Sequence, residues 1–181
     1  MKYNELGESG IKVSELCLGT MTWGSQNFQK SANRQIEISL DYGINFIDTA
    51  EMYPTTPRSS DTQGDTERLI GRWFKESKKR SKIVLATKVT GKGFKYIRNG
   101  EPISILNLRT ALEGSLKRLQ TDYIDLYQLH WANRGSYHFR QNWNYNPTNQ
   151  DTKKELEEIY NILNELNKFV QEGKIRSIGL S

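Results

Sequence analysis

The sequence predicts an α/β fold of repeated strand–helix units in a single domain, and three observations carry that prediction. Short apolar, β-branched runs (ELCLGT, NFIDTA, IVLATKV, YIDLYQLH and IRSIGLS) alternate with longer segments whose apolar residues recur at helical spacing. The runs are nearly continuous in apolar residues, as strands of a parallel sheet covered by helices must be. Three of the runs close on or just before a titratable side chain, which places chemistry at strand ends.

The elements follow in order. Lys2–Glu5 and Ile11–Val13 flank a Gly/Ser turn at Gly7–Gly10, which predicts a small hairpin that caps a larger body. Glu15–Thr20 is the first core strand, followed by the loop MTWGSQN. Ser31 is positioned to cap a helix marked by Ala32, Ile36 and Leu40, and Gly43 ends it. Asn45–Ala50 is the second strand. After the Pro-, Thr- and Ser-rich loop Pro54–Gly64, the pairs Leu69/Trp73 and Ile70/Phe74 mark the second helix. Ile83–Val89 is the third strand. A helix from about Ser104 to Leu119, with Leu108, Leu112, Ser115, Leu116 and Leu119 on one face, leads to the fourth strand, Tyr123–His130. The loop Trp131–Asp151 is rich in Asn, Tyr and Trp. Thr152 with Glu155 reads as a capping box for a fourth helix, whose face is Leu156, Ile159, Leu163, Leu166 and Val170. Gly173 closes that helix, and Ile175–Ser181 begins a fifth strand.

Two architectures accommodate this order: an open doubly wound sheet and a (β/α)8 barrel. The first βα turn of a dinucleotide-binding doubly wound sheet carries Gly-x-Gly-x-x-Gly, whereas here it reads Gly19-Thr20-Met21-Thr22-Trp23-Gly24. A barrel gathers functional groups from the C-terminal ends of several strands, which is the distribution seen here. A barrel takes about 250 residues and eight strands. The chain is therefore expected to be one domain over residues 1–181, the N-terminal part of a barrel incomplete at its C-terminus, with its first and fifth strands as open edges.

Composition narrows the function. Hydrophobic residues make up 35% of the 181 and charged residues 26%, without an apolar run long enough to span a membrane or a signal-peptide core at the N-terminus, so the expected setting is the cytoplasm. The lone cysteine, Cys17, lies in an apolar run and reads as a small buried hydrophobe. The net charge of +5 draws on Arg72, Lys75, Lys78, Lys79, Arg80 and Lys82, which read as a solvated helix end rather than a nucleic-acid surface. No Cys/His or His/carboxylate spacing predicts a metal site, and neither a serine-hydrolase elbow nor a Walker loop is present. His138, in a polar loop, reads as a bystander.

Asp48, Tyr53, Lys88 and His130 are four ionisable groups of four kinds at three strand ends. A phenol is a poor acid at neutral pH unless a cation favours its ionised form. Lys88 beside Tyr53 supplies that cation, and Asp48 holds Lys88 charged and oriented. His130 can donate a hydrogen bond to a substrate carbonyl oxygen. The set suits carbonyl reduction, with hydride arriving at carbon as Tyr53 protonates oxygen.

The stretches LCLGTMTWG, GINFIDTAEMYP, DTQGDTERLIG, LATKV, SLKRLQTDYIDLYQLHW and GKIRSIGLS resemble the aldo-keto reductases, most closely the Tas-like branch, and span Leu16 to Ser181 in order. The resemblance implies a (β/α)8 TIM barrel, reduction of small aldehyde or ketone substrates with NADPH/NADP+, and Asp48, Tyr53, Lys88 and His130 as the catalytic tetrad with Tyr53 as general acid. It further implies cofactor contacts from Gly19, Thr20, Met21, Asp48 and Ser181. The Asn that follows the family's serine lies beyond Ser181. Trp23, Trp131 and Trp143 are candidates for lining the substrate pocket. The alternative expectation is a non-catalytic binding module that keeps the half-barrel.

Overall fold

A computed structural model describes residues 1–135 and 143–181. His138 and the centre of the Trp131–Asp151 loop lie outside the described residues. The chain forms an antiparallel hairpin of β1 (Tyr3–Glu5) and β2 (Lys12–Ser14), followed by four βα units and a last strand. These are β3 (Cys17–Gly19), α1 (Gln29–Asp41), β4 (Phe46–Asp48), α2 (Asp65–Ser77), β5 (Val84–Val89), α3 (Ile105–Leu119), β6 (Ile124–Leu129), α4 (Thr152–Gln171) and β7 (Ile175–Leu180).

The five parallel strands lie in the order β3-β4-β5-β6-β7, without a switch point. Right-handed crossovers between sequential neighbours put every helix on the same side. Consecutive helices accordingly touch: α1 on α2, α2 on α3, α3 on α4. This is the wall of a partial α/β barrel, and it decides between the two architectures that the element order left open. Among the described residues the outer edges of β3 and β7 pair with no strand.

The main core lies between helices and sheet. Ile47, Leu85, Val89, Ile124 and Tyr127 meet Ile36, Ile70, Trp73, Leu108, Leu112, Leu166 and Phe169. The hairpin closes the other face at the N-terminal ends of the strands, where Ile11 and Val13 pack on Val84 and Phe46. Asn45 fastens it there, accepting from Ser14 N at 2.8 Å and donating to Lys12 O at 3.1 Å. No helix is long and apolar enough to cross a membrane among the described residues.

Several local expectations are corrected. Helix α1 begins at Gln29 without a side-chain cap, and Ser31 hydrogen-bonds Asn27 and Gln35 instead. Helix α4 is capped by Asp151, whose carboxylate accepts from Lys153 N and Lys154 N, rather than by Thr152. Its buried stripe is Ile162, Leu166 and Phe169, while Leu156 and Ile159 remain exposed. Cys17 is exposed because β3 is an edge strand whose inner face is uncovered. Crowding at the sulfur and the nearby Asp48 carboxylate still raise the thiol to about 11, so it carries no thiolate at neutral pH. Arg80 is no part of a solvated face: it pairs with the buried Asp125 at 2.8 Å and stacks on Tyr123 at 4.0 Å.

Candidate active site

Strand alternation builds the site. Asp48 lies opposite Ala86, and Lys88 opposite Gln128, in the parallel register. Asp48, Lys88, Gln128 and, one step past β6, His130 therefore share the face away from the helices. Thr87 and Tyr127, the intervening residues, point back among the helices, where Thr87 Oγ1 donates to Glu67 Oε1 at 2.6 Å.

Lys88 has only 7% of its side chain exposed, so its charge requires a partner. Nζ donates to Asp48 Oδ2 at 2.5 Å and to Thr49 O at 2.9 Å, which leaves one N–H. Nζ stands 5.1 Å from the centroid of the Tyr53 ring. The Tyr53 ring meets His130 edge-on, centroids 5.8 Å apart at 75°. All four residues singled out at strand ends thus come together.

Burial, and then the Lys88 ammonium, push His130 down to about 3. The imidazole is neutral at physiological pH and has one N–H to donate. Nδ1 is buried without a hydrogen-bond partner. Gln128 was not singled out in the sequence, although its place two residues before His130 puts it on the same strand face. Its Nε2 donates to the second oxygen of Asp48 at 3.3 Å, so both carboxylate oxygens are held.

The remaining site residues divide. Trp131 packs on His130 with centroids 5.0 Å apart, donates from Nε1 to Lys92 O at 3.2 Å and lines a cavity of about 540 Å³ that also reaches His130 and Ser181. Trp23 is 1% exposed, with Nε1 donating to Gln35 Oε1, so it belongs to the core and does not line a pocket. Trp143 is 90% exposed. At the strand ends, a side chain at Gly19 would meet open space, Met21 is 51% exposed and Ser181 is exposed. These three are exposed at the C-terminal ends of the outermost strands, Gly19 and Met21 at β3 and Ser181 at β7. Thr20 does not join them: it is 1% exposed, and its hydroxyl donates to Asp48 O at 2.8 Å, which braces β3 against β4. Among the described residues no group of three or more His, Cys, Asp or Glu is placed to hold a metal ion.

Residues 15–181 match the family model described as the aldo/keto reductase family. The chain belongs to the aldo/keto reductase family. It is 42% identical over 184 aligned positions to Protein tas of Escherichia coli, covering 100% of this chain and 52% of that protein. It is 44% identical over 144 positions to the uncharacterized oxidoreductase YrpG of Bacillus subtilis, covering 74% of this chain and 41% of that one. Among solved structures, aldo-keto reductase AKR11C1 from Bacillus halodurans in its holo form superposes with a TM-score of 0.71 at 33% identity, over 100% of this chain and 50% of that one. The chain thus spans about half the length of the relatives it matches.

Proposed function

We propose that the protein is an NADPH-dependent carbonyl reductase in which Tyr53 is the general acid. One observation carries this reading: the Lys88 ammonium is pinned between Asp48 and Thr49 O while facing the Tyr53 ring, and the neutral His130 meets that ring edge-on. Asp48 and Thr49 O hold the ammonium in place, and Gln128 holds Asp48. Lys88 keeps one N–H for the negative charge that develops on the Tyr53 oxygen as its proton leaves. His130 donates its single N–H to the substrate oxygen and orients it toward the phenol. Gly19, Met21 and Ser181 are the residues of this chain that would hold the nicotinamide, which when bound supplies the hydride. The substrate is a small aldehyde or ketone, with Trp131 as one wall of its pocket.

The test is Tyr53→Phe in the natural gene product. Turnover of a small aromatic aldehyde is expected to fall by about 10²- to 10⁴-fold, the usual weight of a general acid. Retained turnover assigns the proton to another group. A second reading, a binding module without turnover, draws on the chain spanning only about half of its relatives. Titrating NADPH into the 181-residue chain separates the two, because micromolar binding removes the support for that second reading.

A further inference from the structure

Glu51 lies two residues before Tyr53 and takes no part in the proton transfer, yet it is a carboxylate with 4% exposure. Its Oε2 accepts from Thr90 N at 2.9 Å, and its Oε1 pairs with Nη1 of Arg98. Arg98 Nη2 donates to Thr90 O at 2.7 Å, so the two side chains together hold both main-chain polar groups of Thr90. The main chain of Glu51 is engaged as well: its N donates to Lys88 O at 3.1 Å, and its O accepts from Gln63 Nε2 at 2.6 Å. One residue thereby grips the end of β5 on either side of Val89. The phenol follows directly, since Tyr53 N donates to Ala50 O at 3.1 Å and Tyr53 O accepts from Gly64 N at 2.9 Å.

Arg98 reaches this position at a conformational cost. Arg98 and Asn99 are both left-handed, with φ of 44° and 58°. Two adjacent non-glycine residues hold that region only where the surroundings over-determine it. A buried ion pair is weak evidence for stability, because apolar groups of the same volume often serve as well. Apolar groups cannot, however, fix the register of the Thr90 peptide against the turn that carries Tyr53. We propose that Glu51, locked by Arg98, is a positioning residue for the reaction. It holds the Tyr53 turn against the end of β5 so that the phenol and the Lys88 ammonium keep one separation. The proposal rests on the roles given above to Tyr53 and Lys88.

Glu51→Met keeps the length of the side chain and removes both acceptors, while Glu51→Gln keeps one. In the 181-residue chain, amide exchange at Thr90 is expected to quicken by about tenfold or more in Glu51→Met, with Leu85 in the middle of the sheet unchanged. In the natural gene product, Glu51→Met is expected to lower kcat by about 10²-fold and Glu51→Gln by about tenfold, with KM for the aldehyde within about threefold. A folded Glu51→Met enzyme with kcat within about twofold of the parent, or a loss confined to KM, overturns the proposal. Tyr53→Phe measured alongside keeps the failures apart. If Tyr53→Phe is inactive while Glu51→Met is fully active, only the positioning role falls; if Tyr53→Phe retains turnover, the proton assignment falls. Should Glu51→Met not fold, Arg98→Lys, which keeps the charge and loses the second contact to Thr90, carries the same kcat readout.

Discussion

Replacing Gly71 by Ala opposes two effects of known sign. Gly71 is buried in the middle of α2, where Ala is favoured over Gly by about 1 kcal/mol of helix propensity. Against that gain, a Cβ at Gly71 would lie 2.2 Å from Arg118 O, 2.8 Å from Leu119 C and 3.0 Å from Leu119 Cα. All three are main-chain atoms in the last turn of α3, so no side-chain rotation relieves the contact. Ordinary contact begins at about 3.5 Å, which requires α3 to retreat by roughly 1 Å. Overpacking of that kind costs about 1–3 kcal/mol. The retreat also stretches Arg118 Nε to Glu67 Oε2, now 2.6 Å, in a pair whose carboxylate is wholly buried. Loosening a buried pair adds a part of the about 3–5 kcal/mol lost when one is broken. The clash therefore wins, with a net destabilisation of about 2–4 kcal/mol. Urea unfolding of the two chains is expected to show a lower midpoint at unchanged slope. A Gly71→Ala chain as stable as its parent refutes the claim that backbone contact sets the approach of α2 to α3.

Two further outcomes follow from the site. His130 has its folded pKa depressed from 6.5 to about 3, so the unfolded chain binds the extra proton and stability is lost as pH falls below about 6.5. Relative to His130→Gln, the parent is expected to lose about 2 kcal/mol between about pH 7.5 and pH 5; parallel pH profiles of unfolding free energy for the two refute this. At Gly91, a Cβ would lie 2.3 Å from Trp131 Nε1 and 2.5 Å from its Cδ1, both side-chain atoms. Gly91→Ala is therefore expected to cost only about 1 kcal/mol, through the lost bond to Lys92 O, while shifting the Trp131 indole and His130 ring resonances; unmoved resonances contradict it.

What was legible in the sequence was what a period of two determines. Asp48, Lys88 and His130 each close an apolar run, and in a parallel sheet residues at matching strand ends share a face whatever the helices do. Helix existence followed from Leu69/Trp73, Ile70/Phe74 and the α3 face for the same local reason. The misses concern what lies across the chain. Trp23 reads as a loop aromatic, and only the docking of α1 and α2 around it makes it core. Leu156 and Ile159 continue the α4 pattern past the part of the helix that the sheet covers. Ser31 and Thr152 are competent caps displaced by three residues and by one, since α1 starts after Phe28 without a side-chain cap and α4 takes the carboxylate of Asp151 instead.

The buried carboxylates show where sequence reading fails in principle. Glu51, Glu67 and Asp125 are 4%, 0% and 1% exposed, and each meets an arginine: Arg98, Arg118 and Arg80. The partners are 47, 51 and 45 residues apart in the chain, roughly one βα unit away. Read locally, Asp125 is an anomaly in an apolar run, Glu51 and Glu67 read as ordinary loop or helix acids and each arginine as surface charge, so neither partner announces the pair. Each also bonds the neighbouring strand: Glu51 to Thr90 N, Glu67 to Thr87 Oγ1 and Asp125 to Leu85 N. All three of those partners lie on or just past β5. A slip of two residues along the strand would keep the apolar pattern on its face but would break these bonds. Lys88 lies in the same strand, so the three carboxylates that hold β5 in register also fix the height at which its ammonium meets Asp48.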